Sequence, residues 1–158
     1  MKIVRTGDKF IFLAGAREKS LLLGLLKLYP RIPAAHWLKP ADKLPDSSQR
    51  LLDEALAEQR TENKKQIEAF LAEPARFEQT EAGWRFSLSR AELEWLLQIL
   101  NDIRVGSWIN LGSPDEKRGM RLLNKETAPD FWAMEMAGFF QMNLLGAIEE
   151  EGEREGET

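Results

Sequence analysis

The stretch "LQILNDIRVGSWINLG", residues 97–112, decides the fold because it is apolar on nearly every side of a helix. At 100° per residue, one set of apolar and small side chains forms a broad arc, and a second apolar set lies opposite. A helix of this kind belongs in the middle of a domain or at a subunit interface. The first set is Leu93, Leu96, Leu97, Leu100, Ile103, Ser107 and Leu111, and the second is Trp95, Ile99, Val105 and Ile109.

A charged residue, Arg104, falls inside the first arc. The last helical segment has the same irregularity, because Glu135 lies in an apolar stripe that is made of Phe131, Met134, Gly138, Met142 and Leu145. A charge buried alone is costly, so buried charges are ordinarily paired. We therefore predict that the two helices pack together and that Arg104 forms an ion pair with Glu135. The small residues Gly138 and Ser107 would permit the close approach.

A ligand site is the alternative interpretation of the same arginine. Arg104 could face a cavity and hold a small anion, with Asn101 or Asp102 assisting, since guanidinium groups suit carboxylates and phosphates. This second interpretation makes the chain a small-ligand binder or an enzyme.

Further helices are indicated by apolar spacing and by capping residues. Leucines at helical spacing predict a helix over 16–29 that ends before Pro30, and a long run over 47–73 follows an N-cap at Ser47. In that long run, amides at stripe positions indicate that its middle projects into solvent, breaks or meets a partner. A capping box of Ser89 and Glu92 starts the helix over 89–112, a short helix is expected over 113–123, and a last helix begins near Pro129.

Two hairpins complete the fold. Residues 2–15 contain β-prone side chains around a Gly-Asp turn, and residues 76–89 alternate on both sides of a turn at 81–83. Isolated hairpins are marginally stable, so we expect the two to share one small sheet that packs on the helices. The predicted class is mainly α (α+β), a single domain over residues 1–148 with four or five helices and a small antiparallel sheet of two hairpins.

Charge is concentrated at the C-terminal end. The chain has 158 residues and a net charge of −4, but residues 149–158, "EEEGEREGET", hold six glutamates and one arginine, so the remaining chain carries +1. We expect this end to be a solvated, disordered tail. The nearly neutral body lacks an uninterrupted basic stripe, which argues against nucleic-acid binding.

The composition also excludes several chemistries. The chain has no cysteine, and its single histidine, His36, lies beside Trp37 in a proline-rich segment. Hydrolase triads and the usual zinc sites are therefore not available. Glycine-rich phosphate loops are absent as well. The most apolar run is shorter than a bilayer requires, and a chain free of cysteine suits a reducing compartment, so we expect a cytoplasmic location and no cofactor or metal.

The segment "LNDIRVGSWINLG", residues 100–112, resembles a bacterial family called domain of unknown function 2017. That family has a similar Leu-Asn-Asp-Leu-Arg run followed by Leu-Gly. The segments "REKSLLLGLL", "RLLDEALAEQRTENKKQIEAFL" and "FWAMEMAGFFQMNLLGAI" resemble other parts of the family in the same order. The family has no established activity. In some bacteria its members are encoded beside the adaptor of the Clp protease, so the resemblance implies a regulatory role or one in protein quality control.

Two functional hypotheses follow. The first is a non-enzymatic interaction or regulatory protein that binds a protein partner or self-associates as a homodimer, using a surface drawn from Trp132, Phe139, Phe140 or Trp95. The second is the ligand binder or enzyme built around Arg104, Asp102 and Asn101.

Overall fold

The computed structural model describes residues 1–33, 45–115 and 123–156, with side chains as far as residue 150. The mainly helical α+β class is confirmed: four helices are described, together with one short 3-10 turn at Pro74–Arg76. The helices are α1 (Ala16–Leu26), α2 (Asp46–Leu71), α3 (Arg90–Asn110) and α4 (Ala128–Gly156), and the strands are β1 (Lys2–Thr6), β2 (Lys9–Ala14), β3 (Glu78–Thr80) and β4 (Gly83–Ser89).

The sheet is a single four-stranded antiparallel unit in the order β1-β2-β4-β3 rather than two hairpins. The central pair β2 and β4 joins the two predicted hairpin segments, with Phe10 opposite Leu88 and Phe12 opposite Phe86. The rings of Phe12 and Phe86 stack with centroids 4.7 Å apart. Because alternate side chains of a strand point to the same face, these residues form one apolar face that packs on the helices, and the other face is open.

Helix α3 starts at the predicted capping box: Ser89 Oγ accepts from the Glu92 N–H at 3.1 Å, and the Glu92 carboxylate accepts from the Ser89 N–H. Its side chains from both predicted sets, including Trp95 and Ile99, enter the core, and its largest contact is with α4. The expected packing of these two helices is therefore confirmed.

Helix α2 is unbroken over 26 residues, but only Ile67 and Phe70 near its C-terminal end are buried. The side chains of its first half, including Leu52 of the predicted apolar stripe, are largely exposed. Asn63 is partly buried and Gln59 is exposed. The expected N-cap at Ser47 is wrong, because the N-cap is Pro45, two residues earlier, and it provides no side-chain cap.

The acidic segment at the C-terminal end is largely helical. Helix α4 continues to Gly156 and so includes most of the acidic segment 149–158 that we expected to be disordered; glutamate is a good helix former, which favours this continuation. The short helix predicted over 113–123 lies mainly outside the described residues, as do His36 and Trp37.

Candidate functional site

A short segment that follows α1 crosses α3 at very close range. Residues 29–33 pass over Gly106, where a Cβ atom would lie 2.6 Å from the Ile32 nitrogen and closer still to the Arg31 backbone. A distance this short leaves no space for any side chain. The glycine in the middle of α3 therefore exists at the point where another backbone touches the helix.

Asp102, one turn earlier on α3, anchors this segment. Its Oδ1 accepts from the Arg31 N–H at 2.7 Å and from the Ile32 N–H at 3.4 Å. Burial raises the pKa of Asp102, and the two backbone hydrogen bonds offset only part of that effect. We refer to residues 29–33 together with Asp102 and Gly106 as the Asp102 crossing.

The side chain of Arg31 extends from the crossing to both long helices. Its guanidinium donates to Ser107 Oγ on α3 at 3.3 Å and forms an ion pair with Asp130 at the start of α4. Ser107 is fully buried, and the Arg31 and Asp130 side chains are mostly buried. One arginine therefore ties the crossing, α3 and α4 together, because its planar fork can serve several acceptors at once.

Helix α2 contributes the remaining contacts to this region. The Arg60 guanidinium donates to the Ile32 carbonyl oxygen, and Asn63 Nδ2 donates to the Tyr29 hydroxyl at 3.0 Å. Asn63 thus meets a partner within the chain. The crossing is held from both sides, and its polar groups are bound to one another rather than directed into a cavity.

The predicted ion pair between Arg104 and Glu135 is wrong. Arg104 Nε donates to Gln141 Oε1 at 2.9 Å, and its terminal nitrogen donates to Asn101 Oδ1 at 3.1 Å. Glu135 is exposed, and the described residues give it no ion pair with Arg104. Arg104 lies at the solvent edge of the contact between α3 and α4, so two amide groups satisfy a guanidinium that is only partly desolvated.

The predicted close approach at Gly138 is nevertheless present, because a Cβ there would lie 3.8 Å from Arg104 Cδ. The aliphatic part of Arg104 thus packs on α4 while its charged end remains near water. The four residues singled out from sequence separate into three places: Asn101 and Arg104 bind each other at the helix edge, Asp102 holds the crossing, and Glu135 faces solvent.

Two open grooves lie along the described residues, and neither is lined by Asn101, Asp102 or Arg104. The larger, about 640 Å³, lies between β1 and the C-terminal half of α4. The smaller, about 370 Å³, lies on the open face of the sheet beside Arg76 and Arg85. Neither of these two grooves therefore surrounds the ligand site that was considered at Arg104.

The outer face of α4 carries large apolar side chains that nothing described covers. Met142 is 76% exposed, Phe139 43% and Trp132 40%, and Leu145 is similarly open. Residues at these spacings share one side of a helix. We define the α4 outer face as Trp132, Phe139, Met142 and Leu145, with Glu135 among them.

This arrangement corrects the predicted stripe of α4. Met142 and Leu145, expected in the core, are on the exposed side, and the buried stripe is made of Ala133, Ala137, Phe140 and Leu144. Alanines let α4 approach its neighbours closely, which is why they rather than the larger methionine form the contact. Of the four residues proposed for an interface, Phe140 and Trp95 are core, whereas Trp132 and Phe139 are exposed.

Sequence reasoning did not identify Arg31, Asp130 or Gly106 as members of one site. Arg31 lies in a proline-rich segment whose path no local pattern determines. Gly106 carried a usable signal, since a glycine inside an otherwise apolar helix often marks the close approach of another backbone. Asp130 lies in the first turn of α4 and binds the Arg31 guanidinium there.

The described residues bring no three histidine, aspartate or glutamate side chains together as metal ligands. None of the helices in the described part of the chain combines the length and apolar character that a membrane span requires. Comparison of the chain with protein-family models, with curated proteins and with solved structures finds no match.

Proposed function

We propose that the chain is a non-enzymatic protein-interaction domain and that its binding surface is the α4 outer face. The observation that carries this proposal is the exposure of Phe139 and Met142 on a helix whose opposite side, at Phe140 and Leu144, is fully buried. Exposed apolar side chains that share one helix face are typical of binding surfaces in soluble proteins, and aromatic and methionine side chains are enriched in interfaces.

The contacts of the buried polar groups support a structural role for these groups instead of ligand binding. The Arg31 guanidinium is bound to Asp130 and Ser107, and Asp102 is bound to backbone N–H groups. Groups that already bind each other have less capacity for a substrate or an anion. In the ligand-binding alternative, a ligand at Arg104 would share its guanidinium with Gln141 and Asn101, which already accept from it.

The proposal includes self-association, because a second copy would present the same α4 outer face and a two-fold interface uses one patch twice. The resemblance to domain of unknown function 2017 adds a regulatory role in protein quality control to the proposal. On that view the partner is a component of a proteolytic system, and the chain acts in the cytoplasm.

Site-specific photo-crosslinking tests the proposal. A photoreactive phenylalanine analogue is placed at Phe139, and, as a matched control, at Lys65, which is exposed on α2 away from this face. After irradiation in native lysate, we expect a discrete adduct from position 139 that is absent from position 65, and mass spectrometry identifies the attached protein. A second copy of the chain as the attached protein would assign the surface to a homodimer.

Formation of the adduct must also depend on the apolar side chains of the α4 outer face. Adding Met142→Lys to the position-139 protein should abolish it, because a charge placed in an apolar contact must be desolvated. The same adducts from positions 139 and 65, or adducts that survive Met142→Lys, would overturn the proposal.

A further inference from the structure

One edge of the sheet is open beside a helix. Strand β1 pairs with β2 along one side, and no described strand pairs with its other side. An edge strand presents a row of backbone N–H and C=O groups that another extended chain can bind. Natural edges are often protected by charge, and β1 carries Lys2 and Arg5, so a strand that pairs with its five residues would have to complement these cations.

Helix α4 forms a wall next to this edge. The groove of about 640 Å³ has β1 on one side, and on the other side the helix contributes Met142, Asn143, Gly146, Ala147 and Glu150. A Cβ at Gly146 would have no atom within 4 Å, so the space beside that residue is empty. A strand added to the edge would lie about 4.8 Å from β1, within this space.

The groove also indicates which side chains such a strand would carry. Because alternate residues of a strand point to opposite faces, every second side chain would face Met142, Gly146 and Ala147, which are apolar or small, and Glu150 in the same lining disfavours an acid on that side. On β1 itself Lys2 and Arg5 are the charged residues, and no acid lies on the strand. Side chains of the incoming strand that point away from α4 would therefore lie beside Lys2 and favour a negative charge.

We propose that the groove between β1 and α4, the β1 groove, binds an extended peptide that adds to the sheet as a fifth strand, with apolar and acidic side chains in alternation. In this binding mode the main-chain hydrogen bonds supply affinity, and the alternate side chains supply specificity. The inference rests on the proposed interaction function and names the kind of partner, since Met142 belongs both to the α4 outer face and to the groove.

Fluorescence anisotropy with synthetic peptides tests this. The probe is a labelled peptide of about six residues in which valine and glutamate alternate, a length that matches a typical strand. We expect saturable binding to the wild-type protein and at least about tenfold weaker binding of the same peptide with lysine in place of glutamate, which corresponds to about 1.4 kcal/mol.

Methylated peptides separate strand addition from adhesion to an apolar surface. A strand turns alternate N–H groups towards its neighbour, so N-methylation of one alternate set should abolish binding, and methylation of the other set should be tolerated. Equal binding of both methylated peptides would overturn the proposal, as would an absence of saturable binding to the unmethylated probe.

Two protein variants locate the binding site. Gly146→Leu should fill the groove and weaken the probe at least about tenfold, while Gly24→Leu on α1, where a Cβ also has no atom within 4 Å, should bind as wild type. Circular dichroism verifies that both variants are folded. Undiminished binding to folded Gly146→Leu would contradict the proposed site.

The outcomes also distinguish this inference from the broader function. Failure of every peptide together with a specific adduct from position 139 would overturn the β1 groove and leave the interaction surface intact. Protection of β1 amides from hydrogen exchange that increases with protein concentration, without peptide, would assign the edge to a second copy of the chain and overturn the peptide proposal.

Discussion

The Asp102 crossing and the α4 outer face lie on the same pair of helices and use opposite chemistry. At the crossing, charged and backbone groups are partly buried and bound to each other by Asp102 and Arg31. On the outer face, apolar side chains such as Phe139 and Met142 are exposed. At these two places the polar groups are bound within the chain and the apolar groups are exposed.

The difference leads to a simple expectation for variants. Substitutions at the crossing should change the free energy of unfolding, and substitutions on the α4 outer face should change association while the free energy of unfolding stays nearly constant. Two glycines provide the largest contrast.

Gly106→Ala should destabilise the protein most, by about 3 kcal/mol or enough to prevent folding, because the new methyl group would overlap the backbone of Arg31. Urea unfolding followed by circular dichroism measures the effect. Gly138→Ala is the matched control on α4: its Cβ would make an ordinary contact with Arg104 at 3.8 Å, so we expect the stability to stay level or rise by up to about 1 kcal/mol. A fully stable Gly106→Ala protein would show that the crossing is not held against α3.

Asp102→Ala should cost about 1–3 kcal/mol, because it leaves the Arg31 and Ile32 N–H groups without an acceptor. Asp102→Asn should be much milder, since its side-chain oxygen can accept the same hydrogen bonds without a buried charge. If the two variants lost equal stability at neutral pH, the negative charge itself would be required, and the structural interpretation would be wrong.

The wild-type protein and Asp102→Asn should also differ in how their free energy of unfolding depends on pH. Burial raises the pKa of Asp102 above its ordinary value of 3.8, so the folded state binds this proton more tightly than the unfolded state. The stability contributed by the protonated form is complete below the unfolded pKa and is lost as pH rises through the folded pKa. Asp102→Asn should therefore gain stability relative to wild type between pH 3.8 and neutral pH, measured by urea unfolding at a series of pH values; a constant difference would contradict the raised pKa.

A substitution of Arg104 should change stability less than the loss of Gly106 or of the Asp102 side chain. Arg104→Met loses two hydrogen bonds at the edge of a helix contact, for which we expect about 1 kcal/mol. Combined with Glu135→Leu, the change should be additive within about 0.5 kcal/mol, because the two side chains do not touch. A larger coupling energy in the double-mutant cycle would restore the ion pair that the sequence suggested.

The sequence was sufficient for features that depend on neighbouring residues. The capping box at Ser89 and the alternation around Phe86 are local, and both predicted their elements correctly. By contrast, the position of Arg31 over Gly106 depends on contacts between residues about 75 positions apart. No local pattern contains that information.

The side of α4 that enters the core was ambiguous for a different reason. The helix is apolar almost all round, so both the stripe of Met142 and the stripe of Phe140 satisfied the periodicity. Ala133 and Ala137 mark the side that can approach α3 closely, and that close packing decided between the stripes. A preference for small residues at helix contacts would have selected the correct face.

The central claim is that the α4 outer face binds a partner while contributing little to the fold, and the most direct test is Met142→Lys in the protein that carries the photoreactive group at position 139. We predict loss of the specific adduct with a free energy of unfolding within about 0.5 kcal/mol of the parent. A variant that keeps the adduct at unchanged stability, or that loses it only because the protein unfolds, would contradict this account.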